Sequence, residues 1–435
     1  MEERRKHHVV LRGLLFLCLP AVSLRVFLCR NGRRSVSAGD TFGFCFAAGV
    51  RRNGGDSVKK IVSLLVLAAL VLTLLPGCSG GGEKSGLGNS WEPERSMELQ
   101  YANQFSVDYY PGGYRLISLG NGDRFLIIPE GKEAPEGLDG DIVLLHEPIR
   151  NIYLVASSSM CLFDALDALG NIRLSGTKAE GWYNENARKA MEAGDILYAG
   201  KYSEPDYELI LSSGCQLAVE STMIEHVPEV EEKLEDLGIP VFVDRSSLES
   251  HPLGRTEWIK AYGALVGREE EADRLFSEQM DYINSVSKEE HTGKTVAFFY
   301  ISSSGYAVAR KSGDYVTKMI ELAGGTYIFD DLGDPEKSTS TVNLEMEQFY
   351  ATAKDADYII YNSTIGGELY SLDELLAKNE LLRDFKAVKE GNVWCTGQNL
   401  YQETTRLGEM VVDIHRMLTE EDPSATELTF LYKLQ

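Results

Sequence analysis

Cys78 is the residue whose type and position point most directly to chemistry. It follows Leu75-Pro76-Gly77 at the end of an apolar run from Ile61 to Leu75, and Lys59-Lys60 precede that run. A thiol beside a small residue at the end of an export signal can be alkylated by a diacylglycerol, with cleavage just before it and acylation of the new amino terminus. The run has 15 residues, short of the roughly 20 that a membrane span requires. It reads as the h-region of a signal, with lipidation at Cys78; an ordinary secretory signal with a chance cysteine is the plainer alternative. Gly77-Cys78-Ser79-Gly80-Gly81 also fits the GxSxG hydrolase pattern, but no strand-turn-helix surrounds it, so the match is a coincidence.

The other reactive side chains exclude more than they assert. His146, His226, His251, His291 and His415 are scattered, whereas a naked Zn or Mn site wants clustered imidazoles and carboxylates. Only His251, in Ser250-His251-Pro252 after a strand, could edge a site. Cys161, Cys215 and Cys395 are far apart, giving neither a disulfide framework nor a CxxC pair. They read as small buried hydrophobes. No HExxH, Ser-His-Asp set or phosphate loop stands out. No resident cofactor or metal is expected.

The 435 residues carry a formal charge of −23. The first 77 hold 12 Lys/Arg and 4 Asp/Glu; the remaining 358 hold 31 and 62. A basic leader thus precedes an acidic body, which argues against nucleic acid and against anionic lipid over a broad face.

Residues 1–57 fit no export signal ahead of the one at 58–77. Translation is expected to start near Val58; peptides recovered from within 1–57 would overturn that. Residues 78–96, opening on Ser79-Gly80-Gly81-Gly82, read as a flexible tether. Residues 97–147 read as a small β-rich extension, with turn signals at Tyr110-Pro111-Gly112-Gly113 and Gly120-Asn121-Gly122-Asp123 between strand-like runs. Strands and helices then alternate through a first lobe, 148–254, which implies a parallel sheet. A helical stretch of one or two helices follows at 255–289, with Trp258, Tyr262, Leu265, Phe276 and Ile283 at helical spacing. A second α/β series fills 290–435. Ser157-Ser158-Ser159 and Ser302-Ser303-Ser304 occupy matching places in the two series, so the predicted fold is two similar α/β lobes with parallel sheets, joined by a long helix.

At this point the chain resembles the iron-complex, haem and cobalamin class of solute-binding lipoproteins that serve ABC importers. The resemblance rests on Cys78, which is similar to a bacterial lipobox; on strand-Ser-Ser-Ser-helix from Asn151 to Gly170; on Leu237-Gly238-Ile239-Pro240-Val241-Phe242-Val243; and on Tyr262-Gly263-Ala264-Leu265-Val266-Gly267 followed by Glu269-Glu270-Glu271-Ala272. It covers about residues 150–420. It implies a monomer held to the extracytoplasmic face of the cell membrane by its lipid anchor. It also implies a metal chelate or corrinoid ligand between the lobes, and a permease with its ATPase as partners. In that family each lobe offers the permease a glutamate at a helix start, and by position these resemble Glu208 and Glu347, with Glu345 as the alternative to Glu347. An exported hydrolase, and a binder of naked metal or a small solute on the same scaffold, are the competing readings.

Ligands of parallel α/β folds bind at the carboxyl ends of the strands. The expected cleft walls are Ser158 and Ser159, Trp182 and Tyr183, Ser221 and Thr222 after Glu220, Arg245, Tyr300, Ser303, Tyr306, Arg310, Asn362 and Trp394. Hydroxyls, aromatic faces and arginines suit a large oxygen-bearing chelate, with Arg245 and Arg310 available for carboxylates. For the serines the plain alternative is a helix cap, and for the tryptophans a place in the core.

Overall fold

The computed structural model describes residues 91–333, 341–423 and 427–435. Cys78, the signal at 58–77, residues 1–57 and most of the tether lie outside the described residues.

A five-stranded sheet opens the described chain. Its strands are Arg95–Ser96, Phe105–Tyr110, Tyr114–Leu119, Arg124–Ile128 and Ile142–His146, adjacent in that order. The first four are antiparallel neighbours and the last runs parallel to the fourth. The turn after Tyr110 needs left-handed backbone at Gly112 and Gly113, with φ of 89° and 90°, which glycine alone adopts without steric cost. Alternation buries both faces. Phe105, Val107, Ile117 and Phe125 join the main core. Tyr110, Leu116, Leu126 and Ile128 form a separate cluster under Trp91 and Tyr114.

The first lobe is a parallel sheet in the order Val241–Asp244, Ala218–Ser221, Ile152–Leu154, Ile172–Ser175, Leu197–Tyr198. The second lobe is a mixed seven-stranded sheet around Thr295–Ile301. That strand is parallel to Tyr358–Tyr361 and Thr326–Tyr327, and Tyr358–Tyr361 is parallel to Val393–Thr396. Ala307–Arg310, Thr341–Leu344 and Leu431–Lys433 add antiparallel strands that the alternation of strand and helix does not announce. The first of them folds back through a tight turn in which Gly305 takes φ 85° and its N–H donates to the Ser302 carbonyl.

The stretch after residue 251 is three helices rather than one or two: Pro252–Glu257, Ile259–Val266 and Glu269–Val286. Gly267, at φ 70°, ends the second, and that left-handed stop is why the helical period does not continue as one rod. The helices carry the centre of the core. Trp258 meets Phe105 of the extension at 5.0 Å between rings, and Tyr262 meets Phe163 of the first lobe at 5.2 Å. The Leu407–Thr419 helix packs along Glu269–Val286, so the second lobe closes on the same core.

Candidate functional site

The loops that follow the parallel strands of both sheets form the candidate cleft. In the first lobe they are Ser157–Ser159, Lys178–Tyr183, Thr222–His226 and Arg245–Leu248; in the second, Ser302–Tyr306, Asn362–Tyr370 and Gly397–Arg406. Four large apolar side chains are conspicuously exposed on these loops: Tyr183, Met223, Ile365 and Tyr370, at 45%, 44%, 52% and 72%. Two belong to each lobe. Exposed apolar side chains on the strand-end loops of both lobes make these loops the candidate binding surface.

Tyr183 and Tyr370 come from opposite lobes, and the charge of Glu368 acts on both phenols. The Tyr370 hydroxyl donates to Glu368 Oε2 at 2.6 Å. The Tyr183 phenol is pushed up by partial burial first and by the charge of Glu368 second. The Tyr370 phenol is raised chiefly by its bond to Glu368.

The polar residues expected in the cleft separate into three groups. Thr222 and Arg245 stay at the rim, where the Thr222 hydroxyl pairs with Ser247 Oγ at 3.1 Å and Arg245 pairs with Glu225 at 2.6 Å. Ser221 serves as a helix cap, accepting from the Met223 N–H at 3.3 Å. Ser303 is exposed, and Tyr300 and Tyr306 are half-buried.

Arg310 and Asn362 form the second group, a half-buried arginine and a buried asparagine joined by a half-buried residue the sequence reading passed over. Tyr401 accepts a hydrogen bond from Arg310 Nη2 and one from Asn362 Nδ2 at 2.8 Å. Asp314 holds the other side of Arg310 at 3.3 Å. Burial works against the Arg310 charge, but Tyr401 and Asp314 outweigh it and its pKa is raised. Arg255 is the second residue missed. Its guanidinium stacks on Tyr315 at 3.6 Å and donates to the Ser247 carbonyl at 2.6 Å. The carbonyl oxygen of the Asn362 side chain is buried with no protein partner. The rule that finds Asn362 after its strand also finds Tyr401, five residues past Thr396; Arg255 gives no such signal, since it lies in a helix.

The third group turns inward, contrary to expectation. Ser159 is fully buried, its hydroxyl bonded to Asp244 at 2.6 Å and to Tyr262 at 2.7 Å. That triad ties the first lobe to the middle helix. Ser158, next to Ser159, does not turn inward: it is half-buried, and its main-chain carbonyl accepts from Thr404 at 2.9 Å. Trp182 and Trp394 are each 1% exposed; Trp182 donates to Ser175 Oγ at 3.2 Å. Both tryptophans therefore pack as core. Glu220, next to Ser221, is fully buried on the Tyr153, Ile210 and Val243 side of the first sheet, because alternation sends its side chain to the Ala218 face.

A cavity of about 540 Å³ opens beside the 402–406 segment. Asp164, Glu185, Glu278, Glu403 and Glu409 line it with Arg406 and Tyr183, so its wall is acidic. Among the described residues no group of His, Cys, Asp and Glu is arranged to hold a metal ion, and no helix is long and apolar enough to cross a membrane.

Residues 155–400 match the periplasmic binding protein family. The chain belongs to that family. The match opens at the first-lobe strand ends and closes at Leu400, so every loop of the cleft lies within it up to the last. The chain is 18% identical to the periplasmic heme-binding protein of Vibrio cholerae, covering 62% of this chain and 99% of that one with a TM-score of 0.51. A periplasmic binding protein from Veillonella parvula is 16% identical, over 66% of this chain and 96% of that one, with the same TM-score. These likenesses confirm the two-lobed α/β fold. An uncharacterised lipoprotein of Methanocaldococcus jannaschii is 25% identical over 411 residues, 86% of this chain and 97% of its own. A match of that breadth takes in residues ahead of 155, where the family match does not reach.

Proposed function

We propose that the protein is the lipid-anchored capture component of an ABC importer, taking an iron chelate, haem or cobalamin between its lobes. The observation that carries this reading is the set of exposed apolar side chains on both lobes, Tyr183 and Met223 on the first with Ile365 and Tyr370 on the second, together with the polar cluster of Arg310, Asn362 and Tyr401. Aromatic faces suit a large flat or caged ligand, and a few fixed polar groups suit its carboxylates and amides. The heme-binding neighbour and the lipoprotein relative support the ligand class and the anchor at Cys78.

The test is a titration with haemin, cyanocobalamin, a ferric hydroxamate and Zn, read by intrinsic fluorescence. At least one chelate is expected to quench and saturate, and Tyr183→Ala with Tyr370→Ala is expected to weaken it about tenfold or more, as loss of aromatic anchors does. Binding of Zn with none of the chelates would overturn the proposal in favour of a naked-metal binder.

Delivery needs a docking face. Glu208 is exposed in the first turn of Tyr207–Ser212, and Glu347 in the first turn of Met346–Ala353, with Glu345 just before it. Carboxylates so placed can pair with permease arginines through charge-assisted bonds. Glu208→Ala with Glu347→Ala is expected to cut uptake about tenfold or more while ligand affinity stays unchanged. Weakened ligand binding would instead place these glutamates in the cleft.

A further inference from the structure

We infer that Gln402 is a positioning residue for ligand capture, clasping the main chain of the opposite lobe and so holding the Tyr183 phenol at the rim. The inference rests on the capture reading above.

Gln402 Oε1 accepts the Tyr183 N–H at 2.8 Å, and Gln402 Nε2 donates to the Gly181 carbonyl at 2.8 Å. The side-chain amide thus pairs with the backbone as a neighbouring strand would. The glutamine amide carries a neutral acceptor and a donor side by side on one planar group, which matches the N–H of Tyr183 and the carbonyl of Gly181. Between the two clasped residues, Trp182 is buried and fixed to Ser175. The 181–183 segment is therefore gripped from inside by Trp182 and from the opposite lobe by Gln402, while the Tyr183 side chain stays exposed.

The other end of the clasp is also fixed. Tyr401, the adjacent residue, bonds Arg310 and Asn362. Two residues beyond Gln402, Thr404 donates to the Ser158 carbonyl at 2.9 Å, and its own carbonyl accepts from Thr256 at 3.0 Å. One short strap thus joins the polar cluster of Arg310 and Asn362 in the second lobe, the first helix of the linking set and the rim loop of the first lobe. Gln402 is only partly buried, so replacing it removes the clasp without opening the core. Without it Tyr183 loses its fixed place opposite Glu368 and Tyr370, and a ligand held between the aromatic faces escapes faster.

Gln402→Met keeps the length of the side chain and removes both bonds. Gln402→Glu keeps an acceptor for Tyr183 N–H and sets a carboxylate against the Gly181 carbonyl. In the free protein, hydrogen exchange at the Tyr183 amide is expected to quicken about tenfold in Gln402→Met, with little change in Gln402→Glu. The Trp182 amide, which donates to the Ala179 carbonyl, is expected to hold in both, as is the melting temperature. Stopped-flow release of haemin, cyanocobalamin or the ferric hydroxamate, whichever the wild type captures, is expected to quicken about fivefold or more in Gln402→Met, with association little changed. Unchanged exchange at Tyr183 would overturn the clasp. Faster exchange with unchanged release would overturn its role in capture. A wild type that captures none of the three probes overturns the functional reading, and the exchange measurement then decides the clasp alone.

Discussion

Glu220→Gln is expected to remove a fall in stability that the wild-type protein shows between about pH 4.5 and about pH 8. Glu220 is fully buried, and neither carboxyl oxygen has a hydrogen-bond partner. Burial first, and the charge of Glu231 second, push its pKa up from 4.5 to about 8. A buried carboxyl with no partner stays protonated because the neutral form costs far less to keep out of water. The folded chain therefore holds this proton up to about pH 8, while the unfolded chain releases it near pH 4.5. Below the lower value both states are protonated and the contribution is full. Between the two values the unfolded state gains by releasing its proton, so stability declines as pH rises. Above the higher value the decline stops. At about 1.4 kcal/mol per pKa unit the loss is on the order of 3–5 kcal/mol. The groups around Glu220 reinforce this direction. Tyr153 and Tyr207 face it and are themselves raised, mainly by burial and then by Glu220, and Glu231 is raised by burial and by its acidic neighbours. No cation stands among them to reward ionisation. The glutamine amide is also short of partners, so the variant pays a constant cost; the readout is the change with pH. Melting curves of the two proteins are expected to converge or cross as pH rises, and curves that stay parallel would refute the assignment.

Glu220 also shows where sequence reading loses its grip. The two-lobed α/β fold was legible because alternation of apolar strands with helices is a local pattern, and the strand-end rule then pointed to the loops after each strand. Which side chain in a loop faces the cleft depends on partners far along the chain. Ser159 reads as available until Asp244 and Tyr262 take its hydroxyl, 85 and 103 residues away. Trp182 and Trp394 have the right chemistry for a ligand wall, but the sheets needed their volume. Exposed Ile365 and Tyr370 gave no sequence signal, because an apolar residue near a strand end is by default core. The Ala307–Arg310 strand was hidden for a related reason. Four residues folding back on a glycine turn carry too little periodicity to separate from a loop, and the antiparallel return sends Arg310 inward to Tyr401. Gln402 and Thr404 lie in the aperiodic strap between the last parallel strand and the last long helix, where only contacts across the lobes give the residues meaning.

Glu257→Ala is expected to cost at least about 4 kcal/mol in urea unfolding, among the largest effects of any single substitution in the protein. Its side chain is fully buried and accepts from three consecutive backbone N–H groups of the extension, Gln100, Tyr101 and Ala102, at 2.8 to 3.1 Å. It also pairs with Lys260 at 3.2 Å, whose ammonium lies 4.7 Å from the centre of the Phe276 ring. Glu249 repeats the arrangement one step along, accepting from Asn103, Gln104 and the Trp258 indole. Two buried carboxylates thus satisfy five successive N–H groups of a loop that has no ladder of its own. Alanine leaves those donors unsatisfied and takes from the nearly buried Lys260 ammonium the nearer of its two carboxylates, Asp273 staying at 3.5 Å; an unsatisfied donor and a weakened ion pair are both expensive in the interior. Glu257→Gln keeps one acceptor oxygen but no charge, so it is expected to fall between alanine and wild type. Amide exchange at residues 100–102 should rise in the same order. A loss under about 1 kcal/mol for the alanine variant would show that solvent reaches the loop and the clamp is dispensable. A large loss would make the extension part of the same cooperative unit as the linking helices. The five-stranded sheet would then stiffen the helices that set the spacing of the lobes, which explains why a binding protein whose family match begins only at residue 155 carries it.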